Sequence, residues 1–128
     1  MAKDYLQKAL VALRPDNPDW YSWAKEDSDG NTLLNSERMT FEHAYSNTEG
    51  VTKPTQAEFD AKVSELKLQD LRAERNNKLA ETDWVVTMHK ELGTNIPAAW
   101  KTYRQALRDI TDNYSDLDTV VWPTKPTE

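Results

Sequence analysis

The residues that could carry catalysis or bind a metal are few and far apart in this chain. His43 and His89 are the two histidines, and neither stands in an H-x-x-x-H or H-E-x-x-H pattern. There is no cysteine, which excludes disulfides, thiolate nucleophiles and zinc ribbons. Because a metal site needs three or four converging ligands with supporting contacts, the sequence predicts neither a metal centre nor a cofactor.

Acidic residues beside Trp20 and Trp23 suggest a carbohydrate ligand, because pairs of carboxylates can hydrolyse glycosides and sugar rings can stack on indoles. The acidic residues in question are Asp16, Asp19, Glu26 and Asp27. With three glycines and 38% hydrophobic residues, the chain has little material for an enclosed pocket. We therefore expect no enzyme. Trp20 and Trp23 remain a candidate N-terminal interface, and a host-surface glycan binder is the alternative function.

Phosphate and lipid ligands are not favoured. The chain has no G-x-x-x-x-G-K-[ST] or G-x-G-x-x-G motif, and its net charge of −6 opposes a phosphate backbone. No stretch approaches the roughly 20 apolar residues that cross a bilayer, and the first residues lack a signal peptide. We expect a soluble protein made in the cytoplasm, with no nucleic-acid or membrane partner. The C-terminal half contains four arginines that are expected to pair with acidic neighbours. These arginines are Arg72, Arg75, Arg104 and Arg108.

The composition indicates a thin core. The hydrophobic fraction of 38% is below the roughly 45–50% of ordinary globular domains, and 30% of the residues are charged. Small folds of this kind often complete their burial against a second chain. Five tryptophans and five tyrosines suit such interfaces, because each ring offers a large apolar area with a polar edge. We expect a homo-oligomer or a part of a larger assembly.

The N-terminal elements are short. Apolar residues at helical spacing predict a helix over residues 1–14, which Pro15 ends. Residues 20–24 and 39–41 favour strands, and the turn residues 27–31 lie between them. Residues 46–54 read as a linker. Residues 1–50 are therefore predicted to form a small N-terminal leader or attachment region.

The C-terminal half predicts two helices. Thr55 and Glu58 have the spacing of a capping box, and the helix that starts there continues unbroken to about Asp83. A polar loop is expected from Val85 to Ile96, and a second helix begins near Ile96. Its apolar stripe consists of Trp100, Tyr103, Leu107 and Ile110.

An arginine of the second helix is expected to face Glu81 or Asp83 at the end of the first, and the Trp122-Pro123 segment is expected to fold back onto the pair. The predicted fold class is therefore α+β. A leader with a short helix and short strands precedes a long antiparallel helical hairpin, residues 51–128, which a C-terminal Trp-Pro segment closes.

The residue pattern of this half resembles a known family. The order R-x-x-R-N-x-x-L-x-x-T-D-W, then W-x-x-Y-R-Q-A-L-R-D-I and a final W-P, is similar to the phage tail assembly chaperone family of tailed bacteriophages. The resemblance covers roughly residues 72–123, although the loop Val85 to Ile96 is longer than the connection common in the family.

The resemblance implies a non-enzymatic protein that binds a tail or tail-fibre protein. Such a protein acts as a virion adaptor or as a tail assembly chaperone, and is found in the virion tail and in the host cytoplasm during assembly. The residues expected to join the helices or to contact the partner are Arg75, Asp83, Trp84, Trp100, Tyr103, Arg104, Leu107, Arg108, Asp109 and Trp122. We expect the rings among them to form a small core more readily than an open binding site.

Overall fold

A computed structural model describes residues 5–127. In chain order its elements are α1 (Tyr5–Leu13), β1 (Tyr21–Trp23), α2 (Asn35–Arg38), β2 (Ala44–Ser46), α3 (Gln56–Glu81), α4 (Asp83–Leu92), α5 (Ala98–Arg108) and α6 (Ile110–Asn113). This mixture of helices with a two-stranded antiparallel sheet confirms the predicted class at the coarse level. None of the described helices combines the length and the apolar character that a membrane span requires. The chain divides into two compact units between Leu66 and Lys67.

The core of the first unit forms around Trp20. Its buried cluster consists of Leu10, Trp20, Phe41 and Ala44. The indole Nε1 of Trp20 donates a hydrogen bond of 2.8 Å to the carbonyl of Leu10. That carbonyl lies in the last turn of α1, where backbone acceptors lack partners inside the helix. Trp20 is fully buried, so the expectation that it contributes to an exposed N-terminal interface is wrong.

The strand pair of the first unit differs from the prediction in its second member. Residues 21–23 pair with residues 44–46 in the antiparallel sheet, whereas residues 39–41 were expected to form the second strand. Residues 39–41 instead follow α2 in a turn that directs Phe41 into the core and leaves Met39 exposed. Strand propensity pointed to residues 39–41 and not to residues 44–46. The prediction was wrong because burial of Phe41 decides the local conformation more strongly than propensity does.

The predicted turn at residues 27–31 is present. The Oδ1 atom of Asp27 accepts hydrogen bonds of 2.9 Å from the backbone amides of Asp29 and Asn31. Gly30 has a φ of 87°, which side-chain-bearing residues rarely adopt. The hydrogen bonds from Asn31, followed by those from the neighbouring amides, lower the pKa of Asp27 below its ordinary value. The turn is therefore organised by an ionised carboxylate.

Part of the expected linker, residues 46–54, packs against the first unit. Val51 lies against the core cluster, and Pro54 is buried. The Nζ atom of Lys53 donates a hydrogen bond of 2.6 Å to the carbonyl of Phe41 and lies 4.3 Å from the centroid of its ring. Burial lowers the pKa of Lys53, and the charge of Glu42 partly offsets this effect.

Helix α3 begins as predicted. The amide of Glu58 donates to Thr55 Oγ1 over 3.1 Å, and Glu58 Oε1 accepts from the backbone amide and the hydroxyl of Thr55. This reciprocal pair is a capping box, and the first helical residue is Gln56.

The region predicted as a loop, Val85 to Ile96, is mostly helical. Helix α4 continues to Leu92, and the connection to α5 is restricted to residues 93–97. The prediction was wrong because two adjacent valines cost only tenths of a kcal/mol in a helix, and burial of Val85 outweighs that cost. Gly93, with a φ of 68°, ends α4 and donates its amide to the carbonyls of His89 and Lys90.

Candidate functional site

The candidate site is a cluster of aromatic and aliphatic side chains in the second unit. Its buried members are Val85, Trp100, Tyr103 and Leu107, and the partly buried residues Leu79, Ile96 and Trp122 pack against them. The rings of Trp84 and Trp100 meet edge to face with centroids 6.4 Å apart, and those of Trp100 and Tyr103 do so at 6.3 Å. The structure thus brings together three tryptophans from separate stretches of the chain.

Arg104 joins α5 to the junction between α3 and α4. Its Nη1 atom donates to the carbonyl of Leu79 over 2.8 Å and to Thr82 Oγ1 over 2.7 Å. Its Nη2 atom donates to Asp83 Oδ1 over 2.8 Å, so the predicted arginine–acid pair is formed by Arg104 and Asp83. Thr82 is fully buried, and its hydroxyl is 3.2 Å from the carbonyl of Leu79, to which it donates.

The exposure of these groups indicates which contact matters most. The side chain of Arg104 is 14% exposed, whereas that of Asp83 is 64% exposed. An exposed ion pair contributes under about 1 kcal/mol, while hydrogen bonds from a charged donor to shielded acceptors contribute more. The bonds to Leu79 and Thr82 are therefore the main reason that Arg104 holds the junction.

The contacts between these helices occur in opposite order along the chain. Arg75 Nη1 lies 3.4 Å from the carbonyl of Arg108, to which it donates, and Arg104 contacts Leu79. The ring contact between Trp84 and Trp100 follows next. As the residue numbers rise along α3 and α4, those of their contacts on α5 fall, as expected for elements that run in opposite directions.

Arg108 and Asp109 are connected through a third residue. The Nη2 atom of Arg108 donates to Gln105 Oε1 over 2.7 Å, and Gln105 Nε2 donates to both carboxylate oxygens of Asp109 over 3.0 Å. The predicted direct pairing of arginines with acidic neighbours therefore holds for Arg104 and not for Arg108. Likewise, Arg75 Nε donates to the amide oxygen of its neighbour, Asn76.

Trp122 returns to the cluster after the irregular segment that follows α6. Its ring packs beside the buried residues and lies 4.9 Å below the Nζ atom of Lys78. Such a cation–π contact contributes roughly 0.5–1 kcal/mol when it is exposed. The ring is only partly covered, so its attachment depends on this contact together with packing.

Trp84 is the most accessible ring of the cluster. It is 45% exposed, and Met88 and Leu92 follow it at helical spacing on α4, with Leu92 67% exposed. These three residues are called the Trp84 ridge below. A groove of about 300 Å³ beside the ridge is lined by Trp84, Val85, Met88, His89, Pro97 and Trp100. The second unit therefore presents an apolar surface that its own core holds in place.

The N-terminal candidates do not form a comparable surface. Trp20 is buried, Trp23 is partly covered, and the ring of Tyr21 makes edge contacts with both at 5.5 Å. Within residues 5–127, no three histidine or acidic side chains converge as metal ligands would.

Two contributors to the site were missed by sequence reasoning. Thr82 is the buried hydrogen-bond acceptor of Arg104, and Gln105 connects Arg108 to Asp109. A signal existed for Thr82, because it directly precedes Asp83 and Trp84 in the motif that carries the family resemblance. Gln105 likewise stands between Arg104 and Ala106 in the second part of that motif, but its bridging role depends on side-chain directions on α5.

Comparison with known families identifies the class of the second unit. Residues 68–127 match the model of a family described as phage tail assembly chaperone protein. This match confirms the resemblance seen in the motif. The description of that family points to a role in phage tail assembly. Searches of curated proteins and of solved structures found no match.

Proposed function

We propose that this chain binds a tail or tail-fibre protein of a bacteriophage through its second unit. It does so either as an adaptor that stays in the virion tail or as a chaperone that acts in the host cytoplasm during assembly. The observation that carries this proposal is the match over residues 68–127, because that range contains the whole aromatic cluster and the contacts of Arg104.

The Trp84 ridge is the contact surface that this proposal assigns. Tryptophan is enriched among the residues that contribute most to protein–protein affinity, particularly where surrounding groups exclude water. One edge of the Trp84 ring contacts Trp100, and nearly half of its surface is free. A ring oriented in this way loses little conformational freedom on binding, which favours affinity.

Five of the other predicted site residues support the ridge. Trp100, Tyr103 and Leu107 are buried and fix the direction of α4. Arg104 holds Asp83, the first residue of that helix. Their proposed role is positioning.

The N-terminal part has a separate proposed role. Residues 1–50 form the attachment region, and residues 51–128 form the binding module. The assembled state contains either several copies of this chain or this chain together with other proteins. Burial of Trp20 leaves the glycan-binding alternative without its pair of stacking rings.

Mass spectrometry of purified virions tests the two forms of the function. Stoichiometric presence in virions supports the adaptor. Absence from virions, together with co-purification with a tail protein from infected cells, supports the chaperone. Failure to find any tail protein bound in either preparation contradicts the proposal.

Trp84→Ala tests the contact surface. Loss of a central exposed tryptophan should weaken binding of the co-purifying tail protein by about 2 kcal/mol, or roughly thirtyfold. Leu117→Ala is the matched control, because Leu117 is an exposed apolar residue of the same unit outside the ridge. Equal affinities for both variants would rule out the ridge as the contact.

A further inference from the structure

A second surface of this unit carries an uneven charge. A groove of about 680 Å³ is lined by Val86, Ile96, Lys101, Thr102, Arg104, Gln105, Ala106 and Arg108, and is called the basic groove below. Three of these residues are cationic and none is acidic. The whole chain has a net charge of −6, so this surface has the opposite sign to the rest of the protein.

Two of the three cations lack a carboxylate partner. Arg104 is neutralised by Asp83. Lys101 and Arg108 are exposed, and neither forms an ion pair with any residue in the described range 5–127. The uncharged Gln105 side chain holds the guanidinium of Arg108, so the group is oriented without being neutralised. The groove therefore presents two positive charges that form no direct ion pair. The guanidinium of Arg108 is held in a fixed direction, and the carboxylate of Asp109 lies on the other side of the same Gln105 amide.

The rest of the lining is largely apolar. Val86, Ile96 and Ala106 are each partly buried, and they offer an aliphatic surface between the cations. An apolar surface beside fixed charges fits a polypeptide segment that combines small apolar side chains with carboxylates. A free anion would leave the aliphatic part of the groove uncovered.

We propose that the basic groove binds an acidic segment of the tail protein, whose carboxylates pair with Lys101 and Arg108 while its apolar side chains cover Val86, Ile96 and Ala106. This proposal rests on the proposed function, since it specifies the chemistry of the partner. The groove begins next to Trp100, whose ring contacts Trp84 of the ridge, because Lys101 follows Trp100 directly. Charge pairing of this kind sets specificity and the rate of association.

A nucleic acid fits the same charges less well. Two free cations neutralise few phosphates, and the net negative charge of the chain repels a polyanion. No aromatic ring lines the groove, so unpaired bases have nothing to stack on. The peptide segment is therefore the occupant that the observations favour.

Charge reversal with a matched control tests the groove. The probe is the tail protein that co-purifies with the chain, and its dissociation constant is measured with the full-length protein at about 50 mM and about 500 mM salt. Lys101→Glu with Arg108→Glu should weaken binding at least tenfold at low salt, and the loss should shrink at high salt. Lys62→Glu with Lys125→Glu changes the net charge equally outside the groove and should alter affinity less than about twofold.

The neutral pair Lys101→Gln with Arg108→Gln guards against a folding defect. It should give an intermediate loss while the thermal unfolding midpoint stays within about 2 °C of the parent. A photo-crosslinker placed at Thr102 identifies the bound segment by mass spectrometry. Changing the acidic residues of that segment to lysine should restore binding to the charge-reversed chain.

The outcomes separate the two proposals. If the tail protein binds the chain reversed at Lys101 and Arg108 as well as it binds the control reversed at Lys62 and Lys125, the groove proposal is wrong. The proposed function then still stands. If the parent chain binds no tail protein, the proposed function fails and takes this inference with it. A single-stranded oligonucleotide that binds the parent and is released by charge reversal would overturn the peptide assignment.

Discussion

Replacing Arg104 by methionine should destabilise the second unit far more than removing the charge of its ion-pair partner. Methionine keeps much of the apolar stem of arginine and removes the donors, so the change isolates the hydrogen bonds. Asp83→Asn is the matched variant, because it removes the carboxylate charge and keeps the shape. The two variants compare the contribution of the shielded acceptors with that of the exposed pair.

The magnitude follows from the exposure of each acceptor. A hydrogen bond from a charged donor contributes about 1.5–3 kcal/mol, and Arg104 makes two such bonds, to the carbonyl of Leu79 and to buried Thr82. Because contributions at one site are not additive, we expect Arg104→Met to cost about 3–4 kcal/mol. Asp83 is largely exposed, so Asp83→Asn should cost under about 1 kcal/mol.

Urea unfolding followed by NMR of the indole N–H groups measures this effect in the correct unit. Trp84, Trp100 and Trp122 report on the second unit, and Trp20 and Trp23 report on the first. The second-unit signals of Arg104→Met should disappear at a lower urea concentration, and the first-unit signals should be unchanged. Equal costs for the two variants, or a cost of Arg104→Met below about 1 kcal/mol, would refute the reasoning.

Three further outcomes are expected. Trp100→Ala should lower the free energy of unfolding of the second unit by about 3 kcal/mol, measured in urea, because the ring is 5% exposed; a change under about 0.5 kcal/mol would contradict its burial. Burial, with the charge of Glu81 adding to it, raises the pKa of Tyr103, so the unfolded chain loses this proton first. The melting temperature should therefore fall as the pH rises through and above about 10, and Tyr103→Phe should reduce that slope. Thr55→Ala should cost about 1 kcal/mol and speed hydrogen exchange at the amide of Glu58, whereas unchanged exchange would mean that the capping box does not protect it.

The features that local sequence could predict are those with a local cause. The capping box of Thr55 and Glu58 acts within one helical turn, and α3 begins where it indicates. The stripe of Trp100, Tyr103 and Leu107 repeats at helical spacing, and these three side chains are buried on one face of α5. The sequence predicted that an arginine on α5 pairs with Glu81 or Asp83, and the structure shows the pair between Arg104 and Asp83.

The errors arose where distant residues decide the outcome. Turn residues ahead of Pro97 predict a loop over residues 85–96, yet contact with α5 buries Val85 and stabilises α4. The acidic neighbours of Trp20 favour a ring at the surface. Its indole instead satisfies a carbonyl ten residues earlier, which no local pattern announces.

The attachment of Trp122 has a consequence for competition between proteins. The residues between α6 and Trp122 tether the ring to its own docking place, so its local concentration there is on the order of millimolar. An aromatic side chain from another molecule would have to exceed that concentration, or bind more tightly, to exchange with it. Shortening or cutting the segment between α6 and Trp122 would change the local concentration of the Trp122 ring, although the residues of the cluster would stay the same.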